Sequence, residues 1–110
     1  MSASQMDPLN PEPLFALGSL YEKTGEADRA IPLYEQAVVL DDSYVIAHAR
    51  LGMLYLEQER EEEARGQFEA ALRWNINSYE ANLGMAEFLE GQGKVEEAQK
   101  YRIKVEKLEV

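Results

Sequence analysis

The sequence predicts an all-α protein of three tandem helical pairs stacked on one another, on three observations. Leu17-Gly18-x-x-Tyr21 returns as Leu51-Gly52-x-x-Tyr55 and, degraded, as Met85-Ala86-x-x-Leu89. Ala30-x-x-x-Tyr34-x-x-Ala37 returns as Ala64-x-x-x-Phe68-x-x-Ala71, then as Ala98-x-x-x-Arg102-x-x-Val105, always displaced by 34 residues. No segment alternates apolar and polar residues for long enough to make a strand; Val38-Val39-Leu40 and Tyr44-Val45-Ile46 lie within stronger 3.6-residue patterns. A fixed period of this length marks small units that bury their apolar faces only by stacking. Such stacks present surfaces, which makes binding the expected activity and chemistry the exception.

Residues 1–10 read as a flexible leader, because Pro8, Pro11 and Pro13 block a helix from running back toward Met1. Helices are expected over 12–24, 28–41, 45–58, 61–74, 79–92 and 95–109. Gly25 follows the first, in the place where a helix commonly ends in a left-handed residue. Asp41-Asp42-Ser43 breaks the second from the third, Asn75-Ile76-Asn77-Ser78 the fourth from the fifth, and Gly91-Gln92-Gly93 the last two. Gaps this short make consecutive helices antiparallel neighbours. Glu26 and Asp28, Glu61 to Glu63, and Glu96 and Glu97 open the second helix of each pair, at the positive end of its dipole. Pro32 is tolerated if the second helix starts near Asp28, which places it close to the first turn.

The charge balance restricts partners. Net charge is -10; residues 1–93 carry 17 acids against 6 bases, and residues 94–110 carry 4 against 5. An acidic body repels phosphate backbones, which argues against nucleic acid. No apolar run reaches the ~18 residues that span a bilayer, so no membrane partner is expected. The first residues show no basic or apolar signal region, which reads as a cytoplasmic protein. Cysteine is absent, excluding disulfides and thiolate chemistry.

The small and aromatic residues at this spacing resemble the tetratricopeptide repeat, a 34-residue helix–turn–helix unit. The resemblance covers 11–110 as three units, 11–44, 45–78 and 79–110, and implies a short right-handed α-solenoid. Leu17, Gly18, Tyr21, Ala30, Tyr34 and Ala37 fill signature places in the first unit, and Leu51, Gly52, Tyr55, Ala64, Phe68 and Ala71 in the second. Gly18 and Gly52 let helices approach closely, and the aromatic rings fill the wedge beside each contact. The third unit departs: Ala86, Leu89 and Arg102 replace the glycine and two aromatics, and Asp42 and Ile76 replace the signature's terminal proline. The last helix is expected to cap the stack with Lys100, Arg102, Lys104 and Lys107 outward. Ile103 and Val110 fit that less well and leave open a homodimer through the C-terminal helix.

In this family the first helix of each pair lines a concave groove. The resemblance places Glu12, Phe15, Ser19 and Glu22 there from the first unit. It adds Ile46, Ala49, Arg50, Met53 and Glu57 from the second, and Glu80, Leu83, Glu87 and Glu90 from the third. Apolar centres flanked by carboxylates suit a protein or peptide with apolar anchors and basic flanks. Some members hold acidic chaperone tails with Lys, Asn, Asn, Lys and Arg; here those places carry Phe15, Ser19, Arg50, Glu80 and Gly84, which argues against that ligand.

No residue set for chemistry emerges, so no enzyme, cofactor or metal site is expected. His48 is the single histidine, and it falls where the signature has a packing residue. Gly91-x-Gly93-Lys94 lacks the strand and the Ser or Thr of a phosphate loop. The acids of Glu59 to Glu63 lie on nearly consecutive residues, without the alternating spacing of a calcium loop. Trp74 matches Leu40 and Leu108 by period, which predicts a packing residue.

Overall fold

The computed structural model describes residues 10–109, so all of the expected leader except Asn10 lies outside the described residues. Six helices follow in order: α1 Glu12–Lys23, α2 Ala27–Leu40, α3 Val45–Glu57, α4 Glu61–Trp74, α5 Tyr79–Gly91 and α6 Val95–Leu108. No strand occurs among the described residues. The helices pair as α1 with α2, α3 with α4 and α5 with α6, and the pairs stack through α2 on α3 and α4 on α5. The result is 54 Å long and about 25 Å across.

The turn inside each pair is the same in all three units. Glu26 donates its backbone N–H to the Tyr21 carbonyl (2.8 Å), Arg60 to Tyr55 (2.9 Å) and Lys94 to Leu89 (2.8 Å). This bond closes a helix end through one left-handed residue. Gly25 (φ +80°) and Gly93 (φ +78°) fill that place in the outer units, but the middle unit uses Glu59 at φ +63°. The turn between pairs also repeats. Asp41 Oδ1 accepts from the Ser43 N–H and Asn75 Oδ1 from the Asn77 N–H, each at 3.0 Å. A side chain of the next helix then reaches back: His48 Nε2 donates to the Asp42 carbonyl (2.7 Å) and Asn82 Nδ2 to the Ile76 carbonyl (3.0 Å). His48 is buried and its Nδ1 meets the Gln67 amide at 2.8 Å, so it works as a strut between turn and helix. Where the family signature has a proline, these turns are held by side-chain hydrogen bonds.

The core is continuous. Ala30, Tyr34, Leu51, Leu54, Ala64, Phe68, Met85, Phe88, Leu89 and Ala98 form one buried cluster drawn from five helices, with Phe15 and Tyr21 of α1 packed against it. Phe68 is its keystone. A Cβ on Gly52 would lie 2.6 Å from Phe68 Cε1, and one on Gly84 only 2.2 Å away, so two successive pairs close on the same ring. A Cβ on Gly18 would meet Tyr34 Cε1 at 2.8 Å. In the third pair Arg102 replaces the ring, and Ala86 fits where glycine was needed before.

Two expectations are corrected. Trp74 is 53% exposed rather than packed, because it is the last residue of α4 and stands beyond the helices on either side. Pro32 is the sixth residue of α2, beyond the first turn; it is exposed, and the helix continues through it to Leu40.

Candidate functional site

The first helices of the three pairs lie beside one another. α3 packs against α5, and Arg50 of α3 reaches Glu22 of α1. Along this surface Phe15, Ser19, Glu22, Ile46, Arg50, Met53, Glu80 and Leu83 are half-buried, while Glu12, Glu57, Glu87 and Glu90 are exposed. Ala49 lies beneath: it is wholly buried against Ala71 and Ala81 and offers no side-chain surface. Phe15 is held from below, its ring centre 5.4 Å from that of Tyr34 and 5.3 Å from that of Tyr44.

The middle of the surface is organised around Glu22. Its Oε1 accepts from the Tyr34 hydroxyl (2.7 Å) and from Arg50 Nε (3.2 Å), and its Oε2 accepts from Arg50 Nη2. Burial pushes the Tyr34 phenol up, and the Glu22 carboxylate pushes it further, so Tyr34 stays a neutral donor. The bond to Glu22 likewise raises Arg50, which keeps its charge. Ser19, Glu22, Lys23 and Arg50 line an open depression of about 250 Å³. The same relation recurs two units on, where Arg102 donates to both oxygens of Glu90 at 2.9 and 2.8 Å. There Arg102 takes the role of the Tyr34 hydroxyl. Spacing alone missed the pair of Glu22 and Arg50, because their separation is not a multiple of the repeat period.

A second cleft of about 430 Å³ opens on the other side, between α4 and α6, over Met85, Phe88 and Leu89. Between α2 and α4 the corresponding gap is bridged: Tyr55 donates its hydroxyl to Glu35, Gln58 Nε2 donates to Asp28 (3.0 Å), and Arg60 lies over the Tyr55 ring. Leu89 stands where Tyr55 does one unit earlier and cannot make that bridge.

Among the described residues no group of three or more His, Cys, Asp or Glu side chains could hold a metal ion. The acids at the start of α4 face arginines: Glu62 pairs with Arg65 (2.6 Å) and Glu63 with Arg60 (2.8 Å). No described helix is long and apolar enough to cross a membrane.

Comparison with known sequences decides the family. The profile described as "Tetratricopeptide repeat" matches residues 3–45, 15–75 and 49–103. The chain belongs to the tetratricopeptide repeat family. This family is a protein-interaction module, generally without enzymatic activity. A search of curated proteins finds no match. Among solved structures, the fold is similar to a crystal structure of MamA, with TM-score 0.82 and 26% identity over 94% of this chain. The chain spans 60% of that MamA chain. It is also similar to the first and second tetratricopeptide domains of Spaghetti (RPAP3), each bound to the HSP90 peptide SRMEEVD. Those matches have TM-scores of 0.85 and 0.83, with 23% identity over 94% and 89% of this chain and 85% of each RPAP3 chain. At that identity the RPAP3 domains show the fold.

Proposed function

We infer that this tetratricopeptide chain is an adaptor or scaffold whose concave face holds a peptide segment with apolar anchors and basic flanks. One observation carries this reading. The thirteen groove residues include six carboxylates and one cation; Arg50 is engaged by Glu22 and Glu90 by Arg102, which leaves Glu12, Glu57, Glu80 and Glu87 outside these ion pairs. The half-buried Phe15, Ile46, Met53 and Leu83 lie among those carboxylates. A basic residue beside an apolar anchor gains attraction there, whereas an acidic tail meets repulsion.

The RPAP3 domains hold an acidic HSP90 peptide, and this chain differs where such a ligand would be clamped. Glu80 would repel a ligand carboxylate. Gly84 has no side chain, and a Cβ there would lie 2.2 Å from Phe68 Cε1. The test is an affinity capture with native chain beside a Phe15→Glu, Met53→Glu variant, backed by direct titration of a Leu- and Arg-containing peptide and of SRMEEVD. The reading predicts that the basic peptide binds the native chain and is lost from the variant, with helicity unchanged by circular dichroism. Micromolar binding of SRMEEVD would overturn it.

A second reading is a structural unit that self-associates through its terminal faces. It is favoured by apolar side chains left open at the ends: Leu17 and Leu20 on α1, and Ile103 on α6.

A further inference from the structure

The two ends of the stack are built differently. α3 is packed on both sides, between α2 and α4, and α5 between α4 and α6. Each buries a seam in doing so: Leu51 and Leu54 are 1% and 2% exposed, and Met85 and Phe88 are 5% and 3%. The same repeat places on α1 hold Leu17 and Leu20, which are 42% and 56% exposed. Pro13 and Ala16 join them, both exposed, so that 13, 16, 17 and 20 form one apolar stripe at i, i+3, i+4, i+7 spacing. α1 is therefore apolar on two faces and covered on one.

The opposite end is charged. In the places where Tyr34 and Val38, then Phe68 and Leu72, meet the following pair, α6 carries Arg102 and Glu106. Arg102 is tied to Glu90. Ile103 is exposed, but its neighbours along the helix, Gln99, Lys100, Glu106 and Lys107, are exposed polar residues. Stacking α6 of one copy onto α1 of another would bury the Arg102 and Glu106 charges against leucine, so a head-to-tail filament is disfavoured. A molecule with one open apolar face closes by pairing that face with itself across a two-fold axis.

We propose that the Pro13, Ala16, Leu17 and Leu20 seam of α1 is a homodimer interface, in which α1 packs antiparallel on α1 of a second copy. This rests on the reading of self-association through terminal faces and assigns it to the N-terminal end. Antiparallel packing sets Leu17 against Leu20 of the second copy, twice. It also brings charges together. Glu12 and Lys23 lie on one flank of the seam at opposite ends of α1, so each Glu12 faces Lys23 of the other copy. The stripe lies roughly opposite Phe15 and Glu22 around the helix, so the groove stays open in the dimer. A 12-residue helix is about 18 Å long. One contact of that length is smaller than a standard interface of ~800 Å² per partner, which points to weak, concentration-dependent association.

Sedimentation equilibrium of the native chain from about 5 to 500 μM, where weak association registers, tests this. The expected result is a weight-average mass rising from 12.5 kDa toward twice that value. Leu20→Glu should weaken association at least ~10-fold with unchanged helicity, since each substitution acts at both halves of a two-fold contact. Lys23→Glu should also weaken it, and Lys23→Glu with Glu12→Lys should restore it. A native chain that stays monomeric throughout overturns both this interface and self-association. A dimer broken by Ile103→Glu and untouched by Leu20→Glu overturns this interface and leaves self-association through the other end.

Discussion

The glycines of this chain sit in different settings, and single substitutions separate them. Gly52 and Gly84 make room for the buried Phe68 ring, so Gly84→Ala and Gly52→Leu should each destabilise by about 1–3 kcal/mol through overpacking, read by urea or thermal melts. Gly66 lies exposed within α4, with nothing within 4 Å of an added Cβ. Gly66→Ala should instead stabilise by up to ~1 kcal/mol, from helix propensity alone. Gly25 and Gly93 supply left-handed backbone, and Glu59 occupies the same place at φ +63°. Glu59→Gly should therefore raise stability by about 0.5–1 kcal/mol, as the relief of left-handed strain exceeds the entropic cost of glycine. A lower melting temperature for Glu59→Gly would contradict the assignment. Gly52 was legible in the sequence because it recurs on the period with a ring 16 residues later. Gly84 was not, since its ring belongs to the preceding unit and no periodic partner announces it.

At the scale of helices, all six were legible to within one residue at every boundary, because the 3.6-residue pattern and the turn residues agree. The misses lie at helix ends and in side-chain pairings between helices. Period predicted a packed Trp74, but equivalence along the chain does not guarantee a neighbour, and nothing covers the C-terminus of α4. The bonds from Glu22 to Arg50 and from Tyr55 to Glu35 join different helices at spacings the repeat does not mark. Arg102 looked like a decayed signature place; it pairs α6 to α5 through Glu90. Hydrogen bonds from Arg102 hold the Glu90 carboxyl below the usual carboxylate range. A depressed folded value means that the contribution is present above the unfolded pKa of about 4.3 and is lost as pH falls through the folded value. Arg102→Met should therefore melt below wild type at pH 7. The gap should narrow below about pH 4, as Glu90 takes up a proton in both proteins. A gap that stays constant with pH would assign the effect to packing instead.

Over the whole molecule, one buried cluster runs from α2 to α6 and is continued by Phe15 and Tyr21 of α1. That continuity fixes the first helices side by side and gives their shared surface its acidic and apolar character. The resemblance to the repeat family, and not composition or period, led to the expectation of such a surface. It could not foresee that Arg50 would be engaged by Glu22 or that Ala49 would lie beneath it, since both depend on contacts between units. The claim on which the functional account rests is that a partner segment lies along α1, α3 and α5, drawn by carboxylates and seated on Phe15, Met53 and Leu83. Amide chemical-shift mapping of the native chain, titrated with a peptide of leucine anchors and arginine flanks, tests it most directly. The account predicts saturable shifts centred on Phe15, Arg50, Met53 and Leu83, with none from SRMEEVD. Shifts confined to α2, α4 and α6, or a groove that answers only to the acidic peptide, would contradict it.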